Sequence, residues 1–317
     1  MDPTPVREPE DGEVLLKVLW LSLDPYMRGR MNDAESYAPP VKLGEVMTGE
    51  TICQVLRSRS TEYAEGEFIA GNFGWQEFVT ISGGSAHLRK VNPAYGPVST
   101  ALGILGMTGL TAYFGLLRVG KPNSGETVVV SAASGAVGSV VGQIAKIKGC
   151  RVVGIAGGET KCDYIVHELG FDEAVDYKAG NLDADLKKAC LEGIDVYFEG
   201  VGGAVLNAVV PLLNKGARVP ICGFISQYNV TSTTKVEYPT DVLGALPNPP
   251  EHRFFLVGEW FDEFEETVEI LAGWLKEGKL KYKESIVNGI ENAPKAFIGL
   301  LRGENFGKQL IKVAEPE

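Results

Sequence analysis

The sequence predicts an α/β protein in which a doubly wound parallel sheet accompanies a barrel-type β domain. Three observations lead there. From Gly103 to about residue 275, short apolar runs alternate with amphipathic helical stretches, the pattern of a parallel sheet with right-handed crossovers. Before Gly103 the runs are short, β-like and broken by Pro and Gly. At 317 residues the chain is long for a single core. The expected organisation is residues 1–102 as the first domain, 103–275 as the parallel-sheet domain, and 276–317 returning to the first.

In the first domain, strands are expected at 13–23, 50–57 and 74–81, separated by Asp24-Pro25, Pro39-Pro40, Gly66 and Gly83-Gly84. Strands at 173–177, 194–198 and 217–222 and helices at 183–190 and 204–213 continue the alternation of the second domain. The β-like text of 309–313 differs in style from the helices before it, so the chain is expected to close back on the first domain. Trp75 and Phe254 read as core residues.

The most informative stretch is Glu126-Thr-Val-Val-Val-Ser-Ala-Ala-Ser-Gly-Ala-Val-Gly138. Val128, Val129 and Val130 suit a strand buried on both faces. Gly135 and Gly138 stand at the second and third places of a G-x-G-x-x-G fingerprint, with Ala133 at the first. The second place lets backbone approach a pyrophosphate, and the third lets the next helix pack closely on the strand. Val137, Val140, Val141, Ile144, Ala145 and Ile147 then recur at helical spacing up to Gly149, and a second strand follows at 151–155. Strand, turn, helix and strand in this order read as a dinucleotide site, with the helix N-terminus aimed at the turn. The second strand ends Ala156-Gly157-Gly158, which leaves room for a ribose 2′-phosphate, although Glu159 just beyond is a contrary sign. Ser226-Gln-Tyr-Asn229 follows the strand ending Cys222-Gly223. Ligands sit at the carboxyl ends of such strands, so Tyr228 and Asn229 are expected cofactor neighbours.

Composition narrows the remaining classes. Hydrophobic content of 44% and charged content of 22% are ordinary for a globular protein, and 39 glycines suit tight strand-to-helix turns. A net charge of −11 argues against a nucleic-acid partner, because phosphate backbones select a basic field. No apolar run is long enough to span a membrane, and residues 1–12 lack a signal-peptide core, so a cytoplasmic protein is expected. Cys53, Cys150, Cys162, Cys190 and Cys222 lie far apart and read as free, mostly buried thiols. They form no ligand cluster with His87, His167 or His252, and no metal is expected.

Six strings carry a family resemblance: Leu21-Ser-Leu-Asp-Pro-Tyr-Met-Arg28, Leu105-Gly-Met-Thr-Gly-Leu-Thr-Ala-Tyr113, Ala132-Ala-Ser-Gly-Ala-Val-Gly138, Gly142-Gln-Ile-Ala-Lys146, Gly223-Phe-Ile-Ser-Gln-Tyr-Asn229 and Gly303-Glu-Asn-Phe-Gly-Lys308. Together they resemble the zinc-free medium-chain dehydrogenase/reductase superfamily, and within it the leukotriene B4 dehydrogenase, prostaglandin reductase and curcumin reductase group. The resemblance covers almost the whole chain. It implies a GroES-like β-barrel substrate domain, a Rossmann domain, NADPH (the NADP cofactor), and reduction of a carbon–carbon double bond conjugated to the carbonyl of an enal or enone. An NADPH-dependent quinone reductase and a non-catalytic NADPH-binding protein are the alternatives.

The resemblance also implies site residues. Met107, Thr108 and Thr111 open a helix beside the nicotinamide, or make an ordinary Thr-capped amphipathic helix. Ala133, Gly135, Ala136, Val137 and Gly138 form the phosphate turn. Beside Gly157, Lys161 and Tyr177 would hold the 2′-phosphate, the alternatives being a solvated first-turn lysine and a half-buried strand tyrosine. Gly200, Val201, Cys222, Gly223, Tyr228, Asn229 and Asn305 complete the cofactor set, with Asn305 otherwise a turn former. Tyr26 is the first candidate catalytic donor to a developing oxyanion and Tyr228 the second; alternatively Tyr26 is packed in a corner and Arg28 paired to an acid. Three departures stand out. Family members usually carry about one further strand before Gly12, Gly200 replaces a usual Asn, and Gly258 replaces a substrate-facing Tyr found in some relatives. Relatives commonly pair sheet edges, so a homodimer through an edge strand at 253–257 is expected, although a core strand fits that composition equally.

Overall fold

The computed structural model describes residues 5–33, 38–82, 88–230 and 236–317, so Gly83-Gly84 and His87 lie outside the described residues. The chain divides into two units, Met1–Gly103 with Glu284–Glu317, and Ile104–Lys283. The α/β class is the one expected.

The first unit starts with β1 (Glu13–Ser22), the short helix α1 (Met27–Arg30), β2 (Thr51–Ser58), β3 (Phe68–Gly71), β4 (Phe78–Ser82) and β5 (Arg89–Lys90). β1 pairs along one side with β2, and irregularities between Leu15 and Leu16 and between Val18 and Trp20 bend it. Its first half pairs with β4 along the other side. The strand expected from 74 begins only at Phe78. Gly74 has φ +81° and the Trp75 N–H donates to the Met47 carbonyl at 2.8 Å, so the segment before Phe78 turns instead of extending. Trp75 does pack against the Leu21, Leu23, Met27 and Phe297 cluster.

In the second unit follow α2 (Met107–Phe114), β6 (Thr127–Val130), α3 (Gly138–Ile147), β7 (Arg151–Ala156), α4 (Glu159–Asp163), β8 (Glu173–Asp176), α5 (Leu182–Ala189), β9 (Ile194–Phe198), α6 (Gly203–Val209), β10 (Leu213–Ile221), α7 (Pro239–Gly244), β11 (Glu251–Phe254) and α8 (Phe264–Lys276). The sheet runs β11-β10-β9-β6-β7-β8, all parallel. Read from the other edge, this is the doubly wound order, whose direction reverses between β6 and β9. Val128 and Val130 face one cluster with Leu110, Val141 and Ile144, while Val129 faces the opposite one with Leu186, Leu206 and Leu243. Burial on both faces explains why β6 is an unbroken β-branched run.

Two expectations are corrected here. The helix expected over 204–213 ends at Val209, a single tight turn takes up Pro211, and β10 already begins at Leu213. Phe254, expected in the core, is 38% exposed, because β11 lies at the sheet edge and covers 251–254 instead of 253–257. Its neighbour Phe255 turns inward instead, edge-on to Phe198 at 6.1 Å.

The chain returns to the first unit with β12 (Glu284–Asn288), α9 (Ala293–Leu301) and β13 (Lys308–Lys312). β13 runs parallel to β12 and antiparallel to β1, closing the chain back on its opening strand. Residues 276–283 stay with the second unit. Leu280 packs in its core, and the Gln143 side chain donates to the Lys281 carbonyl at 2.9 Å and accepts from its N–H at 2.7 Å.

Candidate functional site

At the end of β6 the backbone swings through Ala132, whose φ of +48° is left-handed. The Ala133 N–H donates to the Ile155 carbonyl at 3.0 Å and the Gly135 N–H to the Ala132 carbonyl at 2.8 Å, so the turn is fixed by backbone alone. A Cβ on Gly138 would stand 2.5 Å from the Ala132 oxygen, so only glycine lets α3 start this close to the strand. No side chain caps the N-terminus of α3, and its positive dipole end opens on the turn. Ala133, Gly135, Ala136, Val137 and Gly138 thus form one small-residue turn whose geometry fits a dinucleotide pyrophosphate.

At the end of β7, Gly157 lies under the Tyr177 ring, which an added Cβ would meet at 2.6 Å. Tyr177 itself follows β8, is 44% exposed and carries the Lys178 ammonium 5.8 Å from its ring centre. Lys161, in α4, is partly buried. Burial, and then the charge of Lys178, draw its ammonium below the usual lysine range. The nearest strand-end acid is engaged elsewhere: Asp176 Oδ1 accepts from the Gly158 N–H at 2.8 Å and the Lys178 N–H at 2.9 Å. Glu159 points to solvent.

Across the switch point, sequence reasoning missed the pair Ser131 and Glu199. Glu199 is fully buried just after β9. Its Oε1 accepts from the Val201 N–H at 2.6 Å, the Gly202 N–H at 3.0 Å and the Ser131 hydroxyl at 3.3 Å. Burial pushes this carboxyl above the usual range while the two N–H donors pull it back. Burial, with the Glu199 charge second, pushes the Cys222 thiol up to about 12, so the thiolate is suppressed. An acid directly after the strand Ile194–Phe198 was the only signal in the sequence. Tyr228, in the turn after β10, folds its hydroxyl back over Gly223, where it accepts from the Phe224 N–H at 3.4 Å. Asn229 beside it is exposed.

In α2 the cap is Gly106, without a side-chain hydrogen bond, so the Thr-capped alternative does not hold. Thr108 is buried and its hydroxyl has no hydrogen-bond partner, while the Thr111 hydroxyl donates to the Met107 carbonyl at 2.6 Å. In the first unit, Tyr26 caps α1 and packs against the Leu23 and Met27 cluster. The corner holding it is locked by a buried ion pair that the sequence did not disclose, Lys308 with Asp24, the side chains 4% and 5% exposed. Arg28 donates to Asn32 at 2.6 Å. Asn305 donates to the Gly307 carbonyl at 2.8 Å, holding its own turn.

Among the described residues no group of three or more His, Cys, Asp or Glu side chains stands close enough to hold a metal ion. The cysteines in the structure are free thiols. No helix among the described residues is long and apolar enough to cross a membrane.

Comparison with known proteins gives a consistent picture. Residues 1–91 match the family described as the N-terminal domain of oxidoreductase, and residues 136–247 the family described as zinc-binding dehydrogenase. Among the described residues no group of three or more donor side chains stands together that would fit the zinc of that second description. The chain is 47% identical over 312 residues to the NADPH-dependent curcumin reductase of Escherichia coli, covering 98% of this chain and 90% of that protein. It is 43% identical over 308 residues to prostaglandin reductase 1 of Bos taurus, covering 96% and 90%. The crystal structure of CurA in complex with NADPH from Vibrio vulnificus superimposes with a TM-score of 0.93 at 48% identity, covering 99% of this chain and 94% of that one.

Proposed function

Because the chain belongs to the NADP-dependent oxidoreductases of the prostaglandin reductase and curcumin reductase group, we propose that it reduces the carbon–carbon double bond of α,β-unsaturated ketones and aldehydes with NADPH. The observation that carries the reading is likeness along the full chain, 47% identity over 98% of it, to an enzyme named for that coenzyme and an enone substrate.

Bound NADPH would supply the hydride for the β-carbon. The chain's own residues then have three tasks. The turn of Ala133 to Gly138, with the N-terminus of α3, would hold the pyrophosphate; Gly157 leaves space for the Tyr177 ring, and Lys161 and Tyr177 would bind the 2′-phosphate. Met107, Thr108, Thr111, Gly200, Val201, Cys222, Gly223, Asn229 and Asn305 would line the remainder of the coenzyme, and the unpartnered Thr108 hydroxyl is the observation that favours its inclusion. Tyr26, or secondly Tyr228, would donate a hydrogen bond to the carbonyl oxygen as the enolate forms, and a tyrosine or solvent would return a proton to the α-carbon. A delocalised enolate needs only one or two such donors, whereas a localised alkoxide calls for a Lewis acid. We read the enzyme as zinc-independent because no fitting donor set stands among the described residues, as cytoplasmic because free thiols suit a reducing compartment, and as a homodimer through β11.

The test is NADPH oxidation with a simple enone, enal and quinone in the presence of a chelator, with products identified by mass and proton NMR. A saturated carbonyl product at undiminished rate is expected. An allylic alcohol as main product, turnover of the quinone alone, or no oxidation with any of them overturns the reading.

A further inference from the structure

We propose that Glu199 is a positioning residue for the coenzyme: through Oε1 its carboxylate holds the turn of residues 200–202 in the shape that receives the dinucleotide at the switch point. The inference rests on the reading of NADPH as coenzyme. β6 and β9 run side by side with Val130 opposite Phe198, so Ser131 and Glu199 lie one step further on, at the adjoining carboxyl ends where the strand order reverses.

The hydrogen bonds are directional. Three successive N–H groups turn inward onto these two side chains: Gly200 onto Ser131 Oγ at 2.8 Å, and Val201 and Gly202 onto Glu199 Oε1 at 2.6 and 3.0 Å. Glu199 Oε2 is equally buried and takes no backbone N–H; the buried Tyr197 and Ser131 hydroxyls are the carboxyl's side-chain neighbours, while both backbone donors of the turn fall on Oε1. A buried carboxylate is costly unless it accepts such bonds, and here they offset the cost. Gly202 and Gly203, with φ of +72° and +55°, have conformational freedom that the carboxylate restricts to one shape.

With its donors occupied, the turn offers a ligand a fixed floor that is open at Gly200. A Cβ on Gly200 would meet only Ser131 Oγ, at 3.7 Å. The turn also supports the next one, since the Val201 carbonyl accepts from the Ser226 N–H at 3.1 Å and its hydroxyl at 2.6 Å. Tyr228 and Asn229 follow immediately. One buried acid therefore shapes two turns at the carboxyl edge of the sheet.

The experiment measures NADPH dissociation constants by fluorescence, with KM and kcat, for the wild type, Glu199→Asp and Glu199→Gln, each checked for folding by circular dichroism. Glu199→Asp keeps the charge but falls one methylene short; about tenfold weaker NADPH binding is expected, seen in KM with kcat at saturating NADPH within about twofold. Glu199→Gln keeps an acceptor oxygen and should recover affinity to within about threefold of the wild type. Wild-type affinity in Glu199→Asp, or Glu199→Gln as weak as Glu199→Asp, overturns the proposal. Should Glu199→Asp not fold, Ser131→Ala removes both the acceptor of the Gly200 N–H and the hydroxyl that donates to Glu199 Oε1, and an unchanged KM for NADPH then overturns it. A wild type that does not bind NADPH at all defeats the coenzyme reading instead.

Discussion

In the function proposed above, Lys161 is the side chain on which the choice between NADPH and NADH would turn. The structure gives it a partly buried place with Lys178 adding to the local positive charge, and commits the neighbouring carboxylate of Asp176 to backbone N–H groups. An acid free to accept from a ribose hydroxyl would instead repel a 2′-phosphate. Burial favours the neutral amine, so a phosphate that restores the charge interaction gains a strong partner. Lys161→Ala is expected to raise KM for NADPH by about ten- to a hundredfold, the worth of one charge-assisted contact of roughly 1.5–3 kcal/mol, while KM for NADH barely moves. Steady-state kinetics with both coenzymes decide this, and equal effects on the two would sink the assignment.

At the scale of elements, the corner between β1 and α1 is tied to the start of β13. Lys308 reaches Asp24 and the Leu23 carbonyl, and the Ser22 hydroxyl donates to the second Asp24 oxygen. Because both charged side chains are almost wholly buried, removing one strands the other. Lys308→Met should therefore cost about 3–5 kcal/mol of stability, and Asp24→Asn in the same chain should return part of it. Denaturant midpoints measure both. A loss below about 1 kcal/mol would mean that the packing of Tyr26 and Met27, not the ion pair, holds the corner.

At the scale of the whole molecule, the parallel sheet ends on β11, which pairs with β10 on one side only. Phe254 at the end of β11 and Leu256 just beyond it are 38% and 52% exposed, apolar side chains beside an open strand edge of the kind that proteins cover or blunt. Pairing with the same edge of a second copy covers it by a closed two-fold contact. Sedimentation at micromolar concentration should show a dimer, and Leu256→Lys should shift it toward monomer. A wild type that sediments only as monomer contradicts the assignment.

The alternation of strands and helices, the turn from Ala133 to Gly138 and the small residues closing β7 were legible along the chain, because periodicity and turn chemistry act between sequence neighbours. Other features were not, each for want of a partner remote in sequence. Asp24 is 284 residues from Lys308, and Gln143, which keeps residues 276–283 with the second unit, is 138 from Lys281. Phe254 looks like core text because a strand's composition does not say whether a neighbour lies on both sides; position in the sheet leaves it exposed. Glu199 drew no reading from the sequence, where it is one acid directly after a strand. Its role emerges only where β6 and β9 meet, since a buried charge takes its meaning from the donors that folding brings to it.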